Sequence, residues 1–468
     1  MDIKLSFLGA SRNVTGSRYL LEFNGKRILI DCGFFQEWKW KSRNWDAFSV
    51  PPSTIDCVLL THAHLDHVGL LPKLVREGFD GNVYCTSATA EIATIIMLDA
   101  ARIQEEDANY KRRRHEREGR EGETKDVPLY TVEDATEAIP LLAPVQFERP
   151  VEVEEGISAE WIEAGHILGA ASIRLTLTEG KESRTIVFSG DIGRPDVPFL
   201  RPPKMFDAAD YLVVESTYGD REHVMDQSKL DQFERIILDT IERGGNLIIP
   251  SFAVERAQEL LYYLHELLDS KRIPPLMVFM DSPMAVRVTQ VFRNHPELFD
   301  DEAIKLLRQG KHPCDFGGLK MSRTVTQSKA INQIRGTVIV IAGSGMCTGG
   351  RIKHHLIANI GRSESTILFV GYQAEGTLGR QILEGNPEVR IHGELHEVKA
   401  QVERINGFSG HADHSELVDW VKGFKTMPKR VFVTHGEEKV AMGFAKELTE
   451  TFGFDAIAPE YQQTVELE

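Results

Sequence analysis

The chain has 468 residues, with 54 Lys and Arg against 70 Asp and Glu, a formal net charge of −16 and an apolar share of 42%. Such a length predicts two domains, or one domain with a large insertion, and the acidic balance argues against indiscriminate polyanion binding. No run of eighteen apolar residues and no basic leader ahead of a long apolar stretch occurs, so neither a membrane span nor a signal peptide is expected and the cytoplasm is the expected compartment.

In chain order, short β-rich runs alternate with helical patterns: RILID (27–31), CVLLT (57–61), TIVFSGD (185–191), YLVVE (211–215), NLIIP (246–250), LMVFMD (276–281), TVIVIA (337–342), TILFVGY (366–372) and RVFVTH (430–435). Amphipathic stretches such as DQFERIILDTIERGG and VERAQELLYYLHELLDS lie between them, which is the α/β pattern of sheets covered by helices. Residues 104–126 resemble a basic arm at Lys111–Arg114, yet seven Lys and Arg face eight Asp and Glu there, so a solvated helical excursion is expected.

Residues 316–363 differ: Lys320, Arg323, Lys329, Arg335, Arg351, Lys353 and Arg362 stand without a single Asp or Glu. A +7 window in an acidic chain is a candidate footprint for an anionic substrate, against the alternative of chance clustering on a solvent face. The window contains AGSGMCTGGR, a glycine-rich turn between a strand and a helix that opens near Arg351. Glycines there let backbone N–H groups approach a phosphate, although the run matches neither the P-loop nor the dinucleotide fingerprint.

In open α/β sheets ligands bind outside the carboxyl ends of the strands. The residues that follow the apolar runs are Asp31, His62 and His64, Asp191, Glu215 and His435, every one a metal-ligand or acid–base type. Any one of them alone reads as a hydrogen-bonded structural residue; together with the dense run His62-x-His64-x-Asp66-His67 they predict a metal site. Imidazole and carboxylate ligands without cysteine suit catalytic zinc, with manganese and iron left open by residue type. The five cysteines, Cys32, Cys57, Cys85, Cys314 and Cys347, are scattered and read as core residues. The number of candidate ligands suits two metals.

T-H-x-H-x-D-H, with Asp31 upstream and AGHILGA and FSGDIG downstream, resembles the motif series of the metallo-β-lactamase fold. ESTYGDREH, FAVERAQELLYYL, MDSPMA, AGSGMCTGGR, GYQAEGTLGRQI, GFSGHAD and THGEE resemble the β-CASP subgroup of RNA-processing nucleases, relatives of the endonuclease of pre-mRNA cleavage and polyadenylation. The resemblance covers residues 3 to about 440. It implies a metallo-β-lactamase αββα sandwich, residues 1–217 and 389–468, interrupted by a β-CASP α/β domain at 218–388 that lids the cleft. It makes His62, His64 and His166 ligands of one Zn2+, makes Asp66, His67 and His435 ligands of a second, and has Asp191 bridge both; Mn2+ is an alternative. Asp31 becomes a carboxylate that orients a ligand histidine, and Glu215 with His411 the acid pair.

The implied activity is hydrolysis of single-stranded RNA by metal-activated hydroxide, leaving 5′-phosphate and 3′-hydroxyl ends, mainly endonucleolytic with a 5′ to 3′ exonucleolytic mode open. Ser344, Gly345, Arg351 and Ser409 are expected to contact substrate. Because HADH at 411–414 mimics the run at 64–67, Asp413 or His414 as ligands is a rival reading; the preceding glycine-bearing loop favours His411 in catalysis, Asp413 at a helix start and His414 on the surface. A DNA-processing β-CASP enzyme typically carries an apolar residue where this chain has His435. A small-molecule hydrolase does not need the acid-free window, and a non-catalytic scaffold is disfavoured because no ligand position is lost. Self-association as a homodimer fits relatives.

Overall fold

The computed structural model describes residues 1–118, 127–223 and 228–468, and they fall into two units. One comprises Met1–Pro195, Pro202–Glu222 and His411–Glu468; the other comprises Asp196–Arg201 and His223–Gly410.

The first unit is built on two seven-stranded sheets. One runs Gln463–Leu467, Ile3–Gly9, Arg18–Phe23, Lys26–Ile30, Cys57–Leu59, Asn82–Thr86 and Leu142–Val145; the other runs Ala456–Ile457, Arg430–Thr434, Tyr211–Glu215, Glu182–Phe188, Ala171–Glu179, Ile157–Glu163 and Val151–Glu154. Side chains of successive strand residues point to opposite faces, and Tyr211–Glu215 uses both. Tyr211 and Val213 join Leu5, Phe7, Trp161, Phe188 and Phe432 in the core between the sheets. Leu212 and Val214 pack instead on Leu417, Trp420, Phe444 and Leu448 of helices His414–Lys422 and Glu438–Glu450. The opposite outer face carries helix Ser87–Glu118, which packs on Asn82–Thr86 and Leu142–Val145. These layers make the expected αββα sandwich.

Two polar contacts tie one sheet to the other close to the site. The Trp161 indole N–H donates to the Leu60 carbonyl at 3.0 Å, and Tyr19 Oη meets Thr434 Oγ1 at 3.0 Å. Both ties lie within a few residues of His62 and His435, so the inter-sheet core also sets the floor of the site.

The second unit has a six-stranded sheet in the order Leu319–Met321, Met277–Met280, Val338–Ala342, Leu247–Pro250, Thr366–Phe369 and Gln401–Arg404, with every neighbouring pair parallel. It continues past residue 389 to Gly410 because Gln401–Arg404 pairs with Thr366–Phe369. All five cysteines are buried and unpaired. The charged stretch after residue 104 continues helix Ser87–Glu118 with mostly exposed side chains; residues 119–126 of that stretch lie outside the described residues. Among the described residues, no helix is long and apolar enough to cross a membrane.

Candidate metal centre

Five strand ends of the first unit deliver the site. His62 and His64 follow Cys57–Leu59, Asp31 follows Lys26–Ile30, Asp191 follows Glu182–Phe188, Glu215 ends its strand and His435 follows Arg430–Thr434, while His166 lies on the connection between Ile157–Glu163 and Ala171–Glu179. Asp31 and His435 adopt left-handed backbone conformations, φ 57° and 51°, uncommon for residues with a Cβ and concentrated where a turn must aim a side chain.

The candidate ligand atoms form two groups, each within 4.8 Å throughout: His62, His64, His166 and Asp191, and Asp66, His67 and His435. Asp191 faces both. Its Oδ2 lies 3.4 Å from His62 Nε2 and 3.5 Å from His166 Nε2, while its Oδ1 lies 3.3 Å from His67 Nε2 and 3.5 Å from His435 Nε2. Ring nitrogens also converge: His62 Nε2 on His64 Nδ1, His64 Nδ1 on His166 Nε2, and His67 Nε2 on His435 Nε2, each at 3.1 Å.

Ligand atoms tetrahedrally arranged about one zinc stand about 3.3 Å apart, so these separations fit a cation in each group. Asp191 Oδ1 is buried without a hydrogen-bond partner, an acceptor whose desolvation a cation would offset. Burial holds the His62 imidazole well below its usual range and takes His64 down to about 4, so both are neutral, as ligands must be. Burial acts the same way on His67, but the Asp191 and Asp31 carboxylates outweigh it and raise the ring well above its usual value.

Around the ligands sits a layer of orienting groups. Asp31 Oδ2 meets His67 Nδ1 at 2.7 Å and turns Nε2 toward His435; Asp31 Oδ1 accepts from the Thr61 amide at 2.8 Å. Asp31→Asn is expected to weaken metal affinity about 10–100-fold, the usual scale for such a partner, as read by competition with a chromophoric chelator. Thr217 Oγ1 meets His435 Nδ1 at 3.1 Å, an equivalent partner that the motif reading did not single out.

Gly33 was missed as well. The Cys32 amide donates to the His67 carbonyl at 2.7 Å and the Ser17 amide to the Asp66 carbonyl at 2.8 Å, and a Cβ at Gly33 would stand 1.6 Å from that Asp66 oxygen. The only sequence signal was a glycine two positions after Asp31. Gly33→Ala is therefore expected to cost about 1–3 kcal/mol or more by overpacking and to displace Asp66, giving a lower thermal midpoint together with reduced metal content.

Glu215 and His411 lie beside the first group. Glu215 Oε1 meets His411 Nδ1 at 3.1 Å and accepts from the Ile192 amide at 2.7 Å, while Oε2 accepts from the Thr217 amide at 3.2 Å. Both Glu215 oxygens are thus engaged, and the residue also groups with Asp191 and His435 by distance. Burial opposes charge on His411, but Glu215 and Asp191 together prevail and raise it to about 9.

Asp413 caps helix His414–Lys422 in a reciprocal box with Glu416, and neither it nor His414 joins a ligand group among the described residues. His414 is not the surface residue expected. It is half-buried, its Nδ1 donating to the Gly219 carbonyl at 2.8 Å and its Nε2 lying 3.3 Å from Glu447, a partner on another helix that local sequence does not reveal.

The four expected substrate contacts belong to the second unit. Ser344 and Gly345 lie on the turn after Val338–Ala342, and half-buried Ser409 lies in the loop that precedes His411. Arg351, expected to meet phosphate, is already engaged: Nη1 donates to Asp281 Oδ1 at 2.6 Å and to the Ser322 carbonyl, and Nη2 to the Arg323 carbonyl. Asp281 is fully buried and also binds His355 and Ser328, so this guanidinium anchors the turn. Arg362 pairs with Glu364, which leaves Lys320, Arg323, Lys329, Arg335 and Lys353 of the acid-free window without a carboxylate partner among the described residues.

Residues 13–214 match the metallo-β-lactamase superfamily, residues 257–382 the Beta-Casp domain, and residues 395–459 the Zn-dependent metallo-hydrolase RNA specificity domain. The chain belongs to the β-CASP group of the metallo-β-lactamase superfamily. It is 40% identical over 440 residues to Ribonuclease TTHA0252 of Thermus thermophilus, covering 94% of each chain. It is 31% identical over 467 residues to the transcription termination factor FttA of Methanocaldococcus jannaschii, covering 98% of this chain and 70% of that one. A crystal structure of a protein of unknown function from Enterococcus faecalis shares the fold over both full chains, at TM-score 0.56 and 11% identity.

Proposed function

We propose that this protein is a zinc-dependent ribonuclease that cuts single-stranded RNA, mainly internally, and leaves 5′-phosphate and 3′-hydroxyl ends. The observation that carries the reading is Asp191, one carboxylate oxygen facing each of two histidine-rich groups beside a Glu215–His411 pair. His62, His64 and His166 would hold one zinc ion and Asp66, His67 and His435 the other, with Asp191 common to both. Bound there, the ions supply positive charge for the scissile phosphate and lower the pKa of water.

The chain's own groups account for the rest. Attack on phosphorus in line with the 3′ oxygen breaks the P–O3′ bond, and the leaving oxygen needs a proton. His411 has Nδ1 directed at Glu215, so Nε2 is the donor, and the carboxylate keeps the ring charged and oriented. Asp31 and Thr217 hold His67 and His435 in the tautomers that present Nε2 to the centre. The same reading divides the chain into a catalytic domain and an inserted β-CASP domain, with the insertion's end taken to Gly410 rather than residue 388, and places the enzyme in the cytoplasm as a homodimer.

A time course with matched 5′-labelled single-stranded RNA and DNA tests it, with the protein as isolated, after chelation and after zinc is restored. Internal RNA fragments that vanish on chelation and return with zinc are expected, whereas labelled mononucleotide from the outset would mean a 5′ exonuclease mode. Degraded DNA beside intact RNA would move the assignment to the DNA-processing branch. Two intact strands would leave a binding scaffold.

A further inference from the structure

The second unit carries an aromatic pair that the chemistry above does not use. Strand Leu247–Pro250 lies between two parallel neighbours, with Pro250 opposite Ala342 on one side and Ile248 opposite Ile367 on the other. Phe252, two residues past the end of that strand, therefore emerges between the glycine-rich turn and the Gly371–Tyr372 segment. It touches the backbone on both sides: a Cβ on Gly345 would stand 2.7 Å from its ring and one on Gly371 3.5 Å. Gly345 is thus needed for close approach of that ring.

Despite this packing, Phe252 is 42% exposed and Tyr372 57% exposed. An isolated exposed aromatic needs no explanation, but two on adjacent strand ends, at the carboxyl edge of a parallel sheet, stand where such sheets take ligands. Arg351 brings a cation to the same edge. Its guanidinium binds the carbonyls of Ser322 and Arg323, so the glycine-rich turn and Arg323 meet there, and the exposed Arg323 side chain has no carboxylate partner among the described residues. Aromatic faces at the end of a sheet that also carries an unpaired cation and the exposed Gly350 backbone suit a single strand of nucleic acid, because every base offers a π-face and every linkage a charge.

We propose that Phe252 and Tyr372 form a stacking platform for two unpaired bases of the RNA strand, with the strand continuing past Phe252 toward the glycine-rich turn on its other side; the inference rests on the ribonuclease reading. It also gives a physical reason for preferring single strands, since a duplex keeps its base faces stacked internally.

Anisotropy of the full-length chain in chelator, with a fluorescein-labelled single-stranded RNA 12-mer and the same backbone made abasic, tests the proposal without cleavage. Phe252→Ala and Tyr372→Ala are each expected to weaken binding of the intact strand about tenfold and to leave the abasic strand unaffected, whereas Tyr372→Phe should bind like the parent. Phe252→Leu keeps an apolar side chain against Gly345, so it should retain the parent's thermal midpoint yet still lose affinity. With zinc restored, KM should rise at unchanged kcat. Parent-like binding by both Phe252→Leu and Tyr372→Ala, or equal losses on the abasic strand as a protein-docking surface would give, overturns the platform. If the parent cleaves no RNA while these variants still lose affinity for the intact strand alone, the ribonuclease reading falls and the platform stands.

Discussion

Asp191→Asn is expected to remove metal from both groups and to lower RNA cleavage roughly a thousandfold, the scale on which a charged group aimed at a reacting centre acts. The substitution keeps the side chain's shape but removes a negative charge shared by four imidazoles, each within 3.5 Å of one of its oxygens. One of those oxygens becomes an NH2 group, a donor that cannot bind a cation and that faces ring nitrogens required as ligands. Zinc per chain by atomic emission, measured beside turnover, checks the expectation. A variant with full metal and full activity would remove Asp191 from the centre, and with it the two-metal reading.

His411→Ala should behave oppositely in one respect: zinc content stays at the parent level while turnover falls about 10²–10⁴-fold, the range for loss of a general acid. Its ring is held by Glu215 and lies 3.9 Å from Asp191, outside both ligand groups. Loss of metal along with activity would instead make His411 a ligand and revive the rival reading of the HADH run. The pair of variants therefore separates holding the cations from moving the proton, which a single inactive mutant cannot do.

Much of this centre was legible because its parts obey short-range rules. A histidine or carboxylate directly after an apolar run must stand at a strand's end, and the spacing of His62, His64, Asp66 and His67 places them on one strand-to-helix turn. Asp413 was equally readable, since its partner Glu416 is three residues away. What escaped has partners far off in sequence. Arg351 meets Asp281, 70 residues earlier, so an arginine that looked available for phosphate is internally engaged. His414 reaches Glu447, and Gly33 is required by the carbonyl of Asp66. Gln401–Arg404 belongs to the second unit's sheet because its neighbour there is Thr366–Phe369, a pairing that its own exposed, charged residues do not advertise.

The pairing of Ile3–Gly9 with Gln463–Leu467, together with the arrival of His435 from the same late segment, bears on how the protein is made. At about 5–20 residues per second, a ribosome needs roughly 20–75 s between delivering His62 and delivering His435. During that interval Ile3–Gly9 lacks one of its two partner strands and His67 lacks its ring neighbour, so the second histidine group is incomplete until residues 430–467 fold back. Completion of that group is therefore a late event in synthesis, timed by the arrival of His435 and not by the early histidine run.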